Sequence, residues 1–253
     1  MNFLRAIHVS AWLGILLVAT MAPALSAELS ITPLRTHLDS ERPIQSWTMQ
    51  NHGAEAASFE VRVKRWTQAS DGRWELADSE DLVVSPLIFS IAPGGKAQVR
   101  VGTLSPSVER EQAYRVELQE LPGERVHDGR SEVRLLTRFS LPVFVQPVDV
   151  EPGRAVLVSA TIGASSLGVT IGNEGGSYLP RQEGRVQLFD AAGGVIHEDV
   201  VGLEYVLAGA RLPLRLALPA GLCGRAVRVE LELPGQQPML RAGIDAASRQ
   251  CND

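Results

Sequence analysis

The chain has 253 residues, 45% of them hydrophobic and 21% charged, with a formal charge of -5. This is globular rather than disordered composition, and the length accommodates two small domains. The acidic balance and the lack of a basic tract argue against a nucleic-acid partner.

Residues 1–27, MNFLRAIHVSAWLGILLVATMAPALSA, set Arg5 ahead of an apolar run over 11–21 and small residues over 22–27. That is the layout of a secretory signal peptide, with Ala22-Pro23-Ala24 or the bond after Ala27 as the cleavage point. The apolar run is short for a bilayer span, and no later segment reads as transmembrane. The mature chain is therefore expected to be exported, with no integral membrane segment.

Short alternating strands follow. Residues 29–33 form a first strand broken by Pro33, with Arg35 just beyond it. Residues 44–49 lead into the turn Asn51-His52-Gly53. Residues 57–66 alternate Phe59, Val61 and Val63 with Glu60, Arg62 and Lys64, and Ser70-Asp71-Gly72-Arg73 turns a hairpin. Trp66 and Trp74 stand near its two ends, placed to meet across it. Pro86 breaks residues 82–91, because proline cannot donate to a central ladder. Ala92-Pro93-Gly94-Gly95 turns the chain into a strand over 96–101, and residues 114–121 form another. Residues 131–147, SEVRLLTRFSLPVFVQP, alternate over 17 positions, far beyond an ordinary strand of five or six.

Glu151-Pro152-Gly153 marks a boundary between a first unit, 28–148, and a second, 149–253. The second unit repeats the pattern, with strands expected over 155–162, 167–172, 185–189, 195–201, 212–218 and 227–233. The tail from Gln236 has room for a short helix. APGGKAQVRVG and LAGARLPLRLAL both read as turn then alternating strand, a weak internal echo. Many strands, Gly/Pro turns and hardly any helix indicate an all-β chain of two sandwiches. Export also permits a disulfide between Cys223 and Cys251, tying a late strand to the tail; free or intermolecular thiols are the alternative.

Catalytic patterns are missing. His37, His52, His127 and His197 have no metal-ligand spacing, no serine sits in a Gly-x-Ser-x-Gly turn, and Gly94-Gly95-Lys96 lacks a phosphate-loop frame. The chain reads as a non-enzyme without metal or cofactor. Arg35 and Arg138 stand near strand ends, and a guanidinium fork suits a carboxylate such as a peptide C-terminus. The alternating residues of the long segment either fill this chain's own sandwich or are lent to a partner that lacks a strand. An exposed edge of that kind invites aggregation unless a partner or a self-contact covers it.

The phrases ITPLR, SPLIFSIAPGGKAQVRV, YRVELQELP, the long strand ending PVFVQP, and LGVTIGNEGG followed by VLAG give the chain its resemblance. In order and spacing they resemble the PapD-like periplasmic chaperones of chaperone–usher pilus assembly, and RFSLPVFV resembles the archaic branch. The resemblance implies two immunoglobulin-like β-sandwich domains with an interdomain cleft, in a periplasmic chaperone that binds pilin subunits and delivers them to an outer-membrane usher, without cofactors. It implies that Arg35 clamps the pilin C-terminal carboxylate. It also implies donation of Val133 and Leu135 to the subunit, Thr137 as a weaker third position, and Phe139 and Leu141 completing the row. The cleft lysine of the best-studied branch is absent: the matching position is Pro142, and Arg138 on the same face is expected to supply the second anchor. The rival assignment is a secreted structural or adhesive sandwich protein, or a pilus component.

Overall fold

The computed structural model describes residues 29–123 and 135–251. The expected signal peptide and the donor position Val133 lie outside the described residues. Among the described residues every regular element is a strand.

The first ten are β1 (Leu29–Thr32), β2 (Thr36–Leu38), β3 (Ile44–Asn51), β4 (Ala57–Gln68), β5 (Trp74–Asp78), β6 (Leu82–Ser85), β7 (Ile88–Ile91), β8 (Lys96–Thr103), β9 (Gln112–Glu120) and β10 (Arg138–Val145). One sheet is ordered β1-β3-β8-β6; the other is β2-β10-β9-β4-β5, with β7 also on β4. The chain changes sheets at Pro33 and again around Pro86. A proline has no N–H for the ladder, so it ends one strand and frees the next to pair elsewhere. Inward residues of both sheets, including Trp47, Met49, Val99, Phe59, Val61, Val116 and Leu118, share one core.

The second sandwich contains β11 (Ala155–Gly163), β12 (Ser166–Asn173), β13 (Gln182–Phe189), β14 (Val195–Leu203), β15 (Arg211–Ala217), β16 (Arg228–Glu232), β17 (Leu240–Gly243) and β18 (Arg249–Gln250). Its sheets are ordered β15-β12-β11-β18 and β14-β13-β16-β17. Ile162, Leu167 and Ile171 from one sheet meet Leu188, Val229 and Leu231 from the other. The tail holds two short strands where a helix was expected.

The long alternating segment is also shorter as a strand than expected. β10 begins at Arg138, because its partner β9 ends at Glu120, and Arg138 pairs with Gln119. Toward the N-terminus the sequence alternation continues, but residues 135–137 have no regular structure and pair with no strand among the described residues.

The internal echo has a physical counterpart in two asparagines. Asn51 Nδ2 donates to the carbonyls of Glu55 and Ile91, and its Oδ1 accepts from the Gly53 N–H. Asn173 Nδ2 donates to the carbonyls of Ser177 and Val206, and its Oδ1 accepts from the Gly175 N–H. Each buried amide thus pins the turn after its own strand to a distant segment of the same sandwich.

Cys223 and Cys251 are joined, 28 residues apart in sequence. Replacing both with serine is expected to lower the unfolding free energy by about 3 kcal/mol, the chain-entropy value for a loop of this size. Coincident urea midpoints for the two proteins would show that the tail does not need the covalent tie.

Candidate functional site: a cationic, aromatic seam between the sandwiches

The outer face of the second sheet of the first sandwich turns toward the second sandwich. Cross-strand register sets out that face in rows. His37 pairs with Phe144, Phe144 with Ala113, and Ala113 with Trp66. The small Ala113 leaves room for Trp66 and Phe144 to approach, with ring centroids 6.0 Å apart. From the second sandwich come Tyr178, stacked on Phe144 at 3.9 Å, and Tyr205, edge-on to Trp66 at 5.4 Å. Leu207 joins the buried cluster of Trp66, Ala113 and Phe144. Trp66 and Trp74 do meet, at 4.8 Å, although the hairpin register pairs Trp66 with Leu76 and so makes their contact diagonal.

The hairpin tip contributes as well. Gly72 has φ +82°, a left-handed conformation that L side chains rarely adopt, and a Cβ there would lie 2.9 Å from Leu212 Cδ1. Gln68 clamps the Tyr205 loop at two points: its Nε2 donates to the Tyr205 carbonyl and its Oε1 accepts from the Leu207 N–H. The Tyr178 and Tyr205 loops are tied to each other through the Leu179–Val206 bridge.

The next row along the face carries the charge. Arg115 on β9 pairs with Pro142 on β10 and with Lys64 on β4. Arg35 immediately precedes Thr36, which pairs with Val143, so Arg35 flanks Pro142 from the opposite side. Two guanidinium-bearing residues therefore stand on either side of Pro142, about 10 Å apart at the backbone given strand spacing. Arg35 is exposed; its Nη2 donates to the Tyr205 hydroxyl at 3.3 Å, and its cation lies 5.6 Å from the Tyr178 ring centroid and 5.8 Å from that of Tyr205. His37 shares a hydrogen bond with the Tyr178 hydroxyl at 3.2 Å, and burial, followed by the Arg35 charge, holds its pKa below the ordinary value.

Arg115 is only 6% exposed. Its cation lies 4.0 Å from the Trp66 ring centroid and 4.4 Å from that of Trp74. Cation–π contacts of this kind offset part of the cost of burying the charge. Nη1 donates to the Ser140 carbonyl, but Nε and Nη2 are buried with no hydrogen-bond partner among the described residues. Burial lowers its pKa, and Tyr205 and Glu204 work the other way. The guanidinium is therefore held by one carbonyl and the faces of two indole rings, with two donor groups left for a further partner.

The expected residues are distributed differently from the sequence reading. Arg35 stands in the seam. Arg138 does not join it: four residues from Pro142 along β10, it lies about 13 Å away and donates from Nε to Gln119 Oε1. Leu135 is 86% exposed, beside a half-buried Thr137 whose N–H donates to Glu120 Oε2. Leu141, by contrast, is 4% exposed inside the first core, and Phe139 packs against that core and approaches Phe59. Both pack against their own sandwich in the free protein, where the expected donor row would have them facing a partner. Arg115 was missed. Its signal was the cross-strand match with Pro142, the very position where the expected lysine is absent.

One edge remains open. β2 covers β10 only at Val143, Phe144 and Val145, so among the described residues Arg138–Pro142 has β9 on one side and no strand on the other.

Two sandwiches thus meet at a basic, aromatic seam, with a strand edge leading away from it that no described strand covers. Residues 28–151 match the family model for the pili and flagellar-assembly chaperone, PapD N-terminal domain. The first domain thus belongs to the PapD N-terminal domain family of pilus-assembly chaperones. No curated protein sequence matches. Among solved structures, the class 5 fimbriae chaperone CfaA is 11% identical, with TM-score 0.56, over 85% of this chain and 98% of that one. A chain of the Salmonella enterica SafA pilin–SafB chaperone complex is 15% identical, with TM-score 0.55, over 86% and 97%. A chain of the CsuC–CsuE chaperone–tip adhesion subunit pre-assembly complex, from archaic chaperone-usher Csu pili of Acinetobacter baumannii, is 18% identical, with TM-score 0.53, over 74% and 90%. These likenesses establish the fold of two immunoglobulin-like sandwiches.

Proposed function

We propose that the protein is a periplasmic chaperone of the archaic type that captures pilin subunits by strand addition along β10 and passes them to an outer-membrane usher. The observation that carries this reading is where the open edge stops. β2 occupies the edge from Val143 onward, so an added strand has to terminate beside Pro142. Arg35 and Arg115 flank that point, and a chain terminus is where a carboxylate is found. Main-chain bonds along Arg138–Pro142 supply affinity, the carboxylate fixes register, and the exposed Leu135 beyond the sheet extends into the subunit's unfilled core. Arg138 then lies along the added strand rather than at its end. Each sandwich closes its own core with its own strands, which favours a protein that completes others over a pilus component that itself needs completion.

Co-expression with candidate subunits and affinity isolation tests the reading. Arg35→Ala is expected to weaken capture about 10-fold, the loss of one partly exposed charge contact, with stability changed by less than about 1 kcal/mol. Undiminished capture by that variant would remove Arg35 from the anchor.

A further inference from the structure

Glu111 lies just before β9, at the seam, and the anchor itself has no need of it. Its Oε1 accepts from the Tyr178 backbone N–H at 2.7 Å. Its Oε2 is buried with no hydrogen-bond partner among the described residues. A carboxyl group is thus held between two sandwiches by one contact, in a hollow lined by Trp66, Gln112, Ala113 and Leu207. The residue it holds is the one most tightly woven into the anchor: the Tyr178 ring stacks on Phe144, its hydroxyl meets His37, and its ring lies beneath the Arg35 cation.

We propose that Glu111 is a positioning residue for the carboxylate anchor, reaching across the seam to fix the Tyr178 loop on which Arg35 rests. The inference rests on the anchoring role given to Arg35 above. Gln68 holds the neighbouring Tyr205 loop with both ends of its amide, so two first-sandwich side chains pin the two second-sandwich loops that carry tyrosines into the seam.

Protonation distinguishes Glu111 from Gln68. Burial pushes its pKa up to about 8, against the opposing effect of the Tyr178 N–H. The groups around it supply no compensating cation. Arg65 on β4 is committed to Asp81, Gln112 and Tyr114. Tyr178 has its own pKa raised by burial, Glu109 and Arg110 lie on the same loop, and Arg35 and His37 stand beyond the Tyr178 ring. The carboxyl is accordingly neutral through pH 7 and becomes an unpaired buried anion above about pH 8. The folded state binds this proton more tightly than the unfolded chain does. Stability therefore falls as pH rises from the ordinary carboxylate range to about 8 and levels off beyond it.

The test follows the Tyr178 backbone amide by 15N NMR in the free, disulfide-intact protein from pH 5 to 9.5. The expected result is a titration with its midpoint near 8 in the parent protein. Glu111→Gln, which keeps the acceptor oxygen and cannot ionise, should show no such step and no decline in thermal midpoint across that range. The buried charge formed above the midpoint outweighs its stronger bond to the Tyr178 N–H and favours release of the carboxyl to water, so subunit capture should weaken there in the parent and stay level in Glu111→Gln. A Tyr178 amide that does not titrate, or one that titrates equally in Glu111→Gln, overturns the proposal. So does a normal titration with pH-independent capture, provided Arg35→Ala still weakens capture. If Arg35→Ala leaves capture intact, the anchor reading fails instead, and Glu111 loses its role in binding with it.

Discussion

Arg115→Met is expected to leave the free protein at least as stable as the parent while lowering subunit affinity by about 30-fold or more, equivalent to about 2 kcal/mol. The two halves of this result have one cause. In the free protein the guanidinium is buried against Trp66 and Trp74 with two donor groups unpaired. Removing such a charge and retaining apolar volume between the rings relieves a desolvation cost, which is why buried ions replaced by hydrophobes are often neutral or stabilising. On the proposed reading the same group meets, in the complex, the carboxylate that ends the added strand, where truncating one partner leaves the other charge buried alone. Denaturant midpoints of the free variant and pull-down affinity for a co-expressed subunit read the two quantities separately. A variant that is destabilised and binds normally would make Arg115 a structural residue of the seam and nothing more.

Most of the fold was legible because period-two alternation against a buried face is a local signal. β3, β4, β8 and β9 all extend the alternating runs that announced them, and Pro33 and Pro86 mark the points where the chain changes sheets. Two things were not local. Alternation over residues 131–147 says which side chains share a face but not whether a neighbouring strand exists, and β9 stops at Glu120. The strand was therefore read too long, and Phe139 and Leu141 were assigned to a partner although their own sandwich encloses them. The same limit hid Arg115. Between Tyr114 and Val116 it has the pattern of an outward, solvated position, and its face is in fact outward for its own sandwich. What covers it is a second sandwich, carrying Tyr205 from 90 residues further along the chain. Arg35, which the structure places in the seam, stood out in the sequence because it follows a strand-breaking proline in a recognisable phrase. Its counterpart could be found only by asking which residue lies across the ladder from Pro142.

The donor stretch provides the sharpest contrast in expected outcome. Leu135→Asp should abolish measurable capture, a loss of about 100-fold or more, because it carries an unpaired charge into the subunit's apolar groove. Yet it should leave the free chaperone's stability within about 0.5 kcal/mol of the parent, since the side chain is 86% exposed and supports no core. Leu141→Ala should do the reverse. At 4% exposure, and packed in the first core, it is expected to cost about 2–5 kcal/mol of stability. Any effect of that variant on capture should then follow the fraction of protein that remains folded. Both residues occupy odd positions in one alternating segment, so sequence alone treats them alike. What separates them is the end of β9, beyond which an odd-numbered side chain has no core of its own to enter. Urea midpoints paired with subunit pull-downs decide the matter. If Leu141→Ala impairs capture while the sandwich stays folded, the donated row extends inward past the sheet edge. If Leu135→Asp captures normally, strand addition does not use the exposed stretch at all.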